Sequence, residues 1–182
     1  TARESRAAGI HWAFAPVADV NVNPANPIIN LRSFGEDPAR VAVLVAAFVE
    51  GARAGGVLTT AKHFPGHGDT AVDSHLALPI VRRDRAGLER TELAPFRAAI
   101  AAGVDSVMVG HLALPALDAS QAPATLSPAI TTGLLRDELG FAGLVVTDAM
   151  DMSGVGGVWM GEAAVRSVLA GADVVLLPPD PR

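Results

Sequence analysis

The sequence predicts an α/β protein of the (β/α)8, TIM-barrel-like class. Three observations point there. Short Val/Leu/Ala runs recur without polar alternation, the pattern of strands buried on both faces of a parallel sheet. Segments with apolar residues at i, i+3 and i+4 separate those runs and read as crossover helices. Ionisable residues gather where the apolar runs end, the place where a barrel builds its active site.

The elements follow in order. Phe14 to Val20 reads as the first strand and leads into an Asn- and Pro-rich loop, 21–36. Asp37-Pro38 is an N-cap followed by proline at the first helical position. Val41, Leu44, Val45, Phe48, Val49 and Ala52 then form the buried stripe of a helix that Gly55-Gly56 ends. Val57 to Lys62 is the second strand, followed by the Gly-, His- and Asp-rich loop 63–79. Helical sequence resumes near Leu88, and Pro95 predicts that its main part begins just before that residue. Ser106 to His111 is the third strand. Ser127-Pro128 repeats the cap-and-proline device, with Ile130, Leu134 and Leu139 as the stripe and Gly140 as the stop. Leu144 to Asp148 is the fourth strand, 161–170 a helix, and Ala172 to Leu177 the fifth strand.

A doubly wound open sheet fits the same alternation. Its dinucleotide-binding form is disfavoured, because Gly154-Val155-Gly156-Gly157 lacks the required third glycine at a strand–helix junction. Asp19, Lys62-His63, His111 and Asp148, each at the C-terminal end of a different strand, favour the barrel.

Composition removes whole classes of function. The 182 residues are 50% hydrophobic and 18% charged, which excludes a disordered chain. A net charge of −5 with no basic cluster argues against a nucleic-acid partner. No apolar run approaches the ~18 residues of a membrane span. The absence of cysteine excludes disulfides, zinc–thiolate sites and a cysteine nucleophile.

The segment from Lys62 to His75 carries the most chemistry. Pro65, Gly66 and Gly68 forbid a helix there, so His63 and His67 are not a metal pair on one helical face. Asp73-Ser74-His75 places a carboxylate where it can hold an imidazole's tautomer, making His75 either a proton shuttle or a solvated loop histidine. Asp148 ends an apolar strand as a nucleophile, a metal ligand or an N-cap. Lys62 is either a hydrogen-bond donor to a polar ligand or an ion-pair partner of Asp19 or Asp148. Arg32 lies in a loop on the same face, and His111 reads equally as a satisfied near-core histidine.

Taken together the motifs resemble the N-terminal barrel domain of glycoside hydrolase family 3, in its β-N-acetylglucosaminidase (β-hexosaminidase) branch. The likeness rests on Phe14-Ala15-Pro16-Val17-Ala18-Asp19-Val20, Arg32-Ser33-Phe34-Gly35-Glu36-Asp37-Pro38 and Lys62-His63-Phe64-Pro65-Gly66-His67-Gly68. Asp73-Ser74-His75, Met108-Val109-Gly110-His111 and Val145-Val146-Thr147-Asp148-Ala149-Met150 complete it. The resemblance implies a retaining enzyme that removes terminal β-linked N-acetylglucosamine. Asp148 would be the nucleophile, His75 the acid/base and Asp73 its partner. Asp19, Arg32, Lys62 and His63 would bind the sugar's hydroxyls, with His111 also at the site. No cofactor or metal is implied. The partner would be a small carbohydrate such as a muropeptide from peptidoglycan recycling or a chitooligosaccharide, and either water or phosphate would resolve the intermediate.

The expected alternatives are a β-glucosidase of the same family, a metal-dependent hydrolase using His63, His67, Asp69, Asp73, His75, His111 and Asp148, and a non-catalytic sugar-binding barrel. The family barrel has eight strands and this reading finds five. The chain also opens on Thr1 and ends on Pro178-Pro179-Asp180-Pro181-Arg182 straight after an apolar run. The expectation is therefore that residues 1–182 are one partial catalytic barrel, about five β/α units without the first strands and the last, with no second domain and without activity on its own.

Overall fold

The structure, a computed structural model, describes residues 1–177. A short helix α1 (Ala2–Ala7) precedes β1 (Trp12–Ala13). Helix α2 (Pro38–Ala54) leads to β2 (Leu58–Phe64), and α3 (Arg85–Arg90) with α4 (Leu93–Ala101) leads to β3 (Ser106–Val109). A wide π-type helix, Ala129–Glu138, precedes β4 (Leu144–Thr147), and α5 (Met160–Ala170) follows it. All strands are parallel and adjacent in chain order, β1-β2-β3-β4, with Val174 bridged to Val146 beyond β4. A doubly wound sheet steps back past its first strand at a switch point; an order that only advances is that of a barrel wall.

The cap at Asp37 acts as the sequence predicts, whereas the helix expected from Ser127-Pro128 starts at Ala129 with Pro128 at its N-cap. Asp37 Oδ1 accepts from the backbone N–H groups of Ala39 and Arg40 at 2.8 and 3.1 Å. Val41, Val45, Val49 and Ala52 turn inward from α2. The three valines join Phe64, Phe96, Val107, Val145 and Leu135 in the main core, where Phe64 and Phe96 meet edge-on. A smaller cluster of Leu126, Met150, Val155 and Ala163 lies under the loop after β4.

Several boundaries differ from the expectation. The first strand begins at Trp12, and Phe14 to Val20 contributes only a bridge between Val17 and Lys62. Pro16 has no N–H for the ladder, although Ala15 and Pro16 still accept from Thr60 and Lys62 through their carbonyls. The second strand runs on to Phe64, past a register shift between Ala61 and Phe64, so Lys62 and His63 lie in its last turn of pleat. Helix α3 starts at Arg85 because Asp84 Oδ1 caps it by accepting from Gly87 N–H at 2.7 Å. The fifth strand shrinks to the bridge at Val174: Asp173 offers its carboxylate to Val145 N–H at 2.8 Å in place of a backbone partner. Trp12 is tied by its indole N–H to Thr60 and Ser106. Residues 178–182 lie outside the described residues.

Candidate active site

The C-terminal ends of the strands carry Lys62, His63, His111 and Asp148, with Asp19 just past the bridge to Lys62, while Arg32, Asp73 and His75 lie in the loops. Asp19, just past the bridge at Val17, is fully buried. Its Oδ1 accepts from His67 N–H at 2.7 Å, its Oδ2 lies 2.7 Å from His63 Nδ1, and both oxygens lie 3.2 Å from His63 N. Burial alone would raise this carboxyl. The positive field and hydrogen bond of His63, joined by those of His67, outweigh it and hold Asp19 below the usual carboxylate value. Because a carboxylate only accepts, His63 keeps its proton on Nδ1, and its Nε2 is left for a ligand.

Lys62 is half-buried at the end of β2. Burial and the nearby Arg32 lower its ammonium, while the fields of Asp148 and Asp19 oppose the shift. Among the described residues Lys62 makes no ion pair within 4.0 Å, so the pairing alternative is not realised and its ammonium is uncommitted. Arg32 is exposed and donates to the Ile28 carbonyl at 3.2 Å.

Asp148 is half-buried directly after β4, its N–H bonded to the Val109 carbonyl. Its carboxylate accepts from Ala149 N–H at 2.9 Å. The N-cap reading fails, because the next α-helix starts only at Met160.

His111 requires a correction. It is fully buried, with Nδ1 2.9 Å from Thr125 Oγ1 and Nε2 2.9 Å from the Ala149 carbonyl. Both ring nitrogens are thus spent inside the protein. Burial lowers its pKa, against the Ala149 carbonyl and the Asp148 field, so the neutral ring is favoured. It braces the backbone after Asp148 and has no nitrogen free for a substrate.

Asp73 and His75 form the expected pair: Oδ1 of Asp73 lies 2.7 Å from His75 Nδ1 and accepts from His75 N–H at 2.9 Å. Burial pushes the Asp73 carboxyl up, but the two hydrogen bonds from His75 and its charge prevail and keep it below the usual value. The His75 side chain is more than half exposed, and an ionised Asp73 holds it by Nδ1.

Sequence reasoning gave His67 only a metal-ligand role. It is buried, its ring bridging Thr70 Oγ1 at 2.7 Å and Ser74 Oγ at 3.0 Å. No spacing rule signals this, since the partners meet only once the loop has folded. The candidate metal ligands are likewise dispersed: Asp69 pairs with Arg83, Asp73 with His75, and His67 and His111 with hydroxyls. Among the described residues no three His, Asp or Glu side chains converge as a metal site would require.

Comparison with known proteins identifies the family. The family model for the glycosyl hydrolase family 3 N-terminal domain matches residues 1–182. The chain belongs to that family. Its sheet and helices are accordingly part of a TIM-barrel-like α/β fold. It is 51% identical, with a TM-score of 0.95, to the structure of a glycoside hydrolase family 3 beta-N-acetylglucosaminidase from Paenibacillus sp. str. FPU-7, over 97% of this chain and 34% of that one. It is 45% identical to beta-hexosaminidase A of Pseudoalteromonas piscicida, over 97% of this chain and 31% of the relative. It is 43% identical to a beta-N-acetylglucosaminidase/beta-glucosidase of Cellulomonas fimi, over 96% of this chain and 33% of the relative. This family 3 chain thus spans about one third of the length of these relatives.

Proposed function

We propose that this family 3 chain carries the catalytic face of a retaining glycoside hydrolase that releases terminal β-linked N-acetylglucosamine. Asp148 attacks the anomeric carbon as the glycosidic C–O bond breaks, and His75 Nε2–H protonates the departing oxygen. Water then gives a proton back to Nε2 as its oxygen displaces Asp148 from the anomeric carbon. Asp73 stabilises the imidazolium that donates in the first step and is regenerated by the second; between the steps His75 is a neutral imidazole with its Nδ1–H still on Asp73. Lys62, Arg32 and His63 Nε2 bind sugar hydroxyls, with Asp19 fixing the His63 ring. A histidine donor avoids a second carboxylate beside Asp148.

The observation that carries this reading is the Asp73–His75 contact at 2.7 Å, on a loop whose Ser74 carbonyl accepts from Gly154 N–H beyond Asp148. The names of the relatives support the sugar. The Cellulomonas fimi name, which includes beta-glucosidase, supports a second reading in which glucosides are also cleaved. Muropeptides and chitooligosaccharides are the proposed substrates. Among the described residues no strand pairs with the outer edge of β1 or of the Val174 segment, which supports the view that these residues are one part of an eight-stranded barrel.

The test uses the full-length protein with an N-acetylglucosaminide and the matching glucoside. Turnover is expected on the first, abolished in Asp148→Ala. It is expected to slow by about 10²–10⁴-fold in His75→Ala when the leaving group is poor. Wild-type turnover in Asp148→Ala would refute the assignment. Product analysis with and without phosphate separates hydrolysis from phosphorolysis.

A further inference from the structure

Ser74, between the two residues of the acid/base pair, is buried although its neighbour His75 is exposed. Two ties hold it. Its hydroxyl lies 3.0 Å from His67 Nε2, and the same ring is anchored at Nδ1 by Thr70 Oγ1 at 2.7 Å. Thr70 is fixed in turn by its hydrogen bond to the His67 carbonyl and by Asn26 Nδ2 at 3.3 Å. The Ser74 carbonyl accepts from Gly154 N–H at 2.9 Å.

Gly154 lies in the turn Ser153–Val155 that follows Asp148. A Cβ there would stand 2.6 Å from the Ser74 carbonyl oxygen and 2.9 Å from His111 Cβ, closer than real Cβ atoms approach. Only glycine lets the two loops touch. His111 meanwhile grips the Ala149 carbonyl, so the same contact patch borders the backbone that carries Asp148.

We propose that His67, Ser74 and Gly154 are positioning residues that dock the Asp73–His75 pair onto the Asp148 loop, setting the reach between proton donor and nucleophile. The inference rests on the glycosidase reading above. None of the three touches the reacting atoms. His67 and Ser74 act by where they hold His75, and Gly154 by permitting the approach. A displacement of about 1 Å at a reacting group can cost on the order of 10²-fold in rate, so a docking bond of this kind matters for proton transfer.

The experiment compares Ser74→Ala and Gly154→Ala with wild type in the full-length protein. Two N-acetylglucosaminides are used, one with an activated aryl leaving group and one with a sugar leaving group that needs protonation. The kcat/KM for the sugar leaving group is expected to fall roughly tenfold more than that for the aryl one, because only the former needs the acid. A general structural role would lower both equally, and that result, or no change in either, overturns the proposal. Amide exchange at Gly154, read without substrate, is expected to quicken by about fivefold in Ser74→Ala; unchanged exchange also overturns it. A wild-type protein that turns over neither substrate would defeat the glycosidase reading, while the exchange result still judges the docking.

Discussion

Substitution of Asp19 gives a prediction whose sign and order come from hydrogen-bond counting. Every polar neighbour of this buried carboxylate is a donor: His63 N–H, His63 Nδ1–H and His67 N–H. Asp19→Ala leaves all three without an acceptor. At about 1–3 kcal/mol for each buried orphan, the loss reaches roughly 3–5 kcal/mol even after the loop relaxes. Asp19→Asn has an escape. Its amide oxygen can face the His67 backbone N–H, which has no alternative. Its NH₂ can then face His63, whose ring moves its proton to Nε2 and accepts at Nδ1. What remains lost is the difference between charged and neutral hydrogen bonds, about 1 kcal/mol each for the two backbone donors, or roughly 2 kcal/mol in total. Asn is therefore expected to be the milder variant for stability. It also turns Nε2 of His63 from an acceptor into a donor, so under the proposed glycosidase function KM is expected to rise. Thermal melts of the full-length variants give the order, KM follows from turnover, and nitrogen chemical shifts of His63 report the tautomer. Equal destabilisation by Asn and Ala, or an unchanged His63 tautomer in Asp19→Asn, would refute the reasoning.

Further outcomes follow from the same contacts. Asp19 has a folded pKa below 3.8, so its contribution to stability is present above that value and is lost as pH falls through the folded one; acid melts of wild type should steepen there, and those of Asp19→Asn should not. Glu92 has the opposite sign. Its burial, against the Arg83 charge, raises it from 4.5 to about 7, so the stability of its protonated form is lost as pH rises through that window; Glu92→Gln should gain on wild type between pH 5 and pH 8 in urea titrations. Gly51 sits inside α2 with nothing within 4 Å of an added Cβ, so Gly51→Ala should stabilise by roughly 0.5–1 kcal/mol, and an unchanged or lower melting temperature would contradict it. Asp37→Ala removes the cap of α2 and should cost about 1 kcal/mol in the same melts.

Residue pattern by itself determined the alternation of parallel strands and helices, the cap at Asp37, and the placement of ionisable residues at strand ends. These follow from local physics: two-sided burial selects continuous Val/Leu runs, and cap chemistry acts over three or four residues. The Asp73–His75 pair was legible for the same reason, being two residues apart. Tertiary structure alone decided the rest. The fate of His111 was open until Thr125 and the Ala149 carbonyl were seen to take both nitrogens. Lys62 was a free cation or an ion-pair partner until its surroundings were fixed. His67 and Gly154 joined the site through Ser74, contacts between segments that share no periodicity. The fifth strand thinned to one bridge because Asp173 took the ladder's place at Val145. Chain pattern encodes which face a residue turns to. Which partner consumes its last hydrogen bond depends on side chains brought from other strands, and that choice separates a residue left free for a ligand from one that braces the wall behind it.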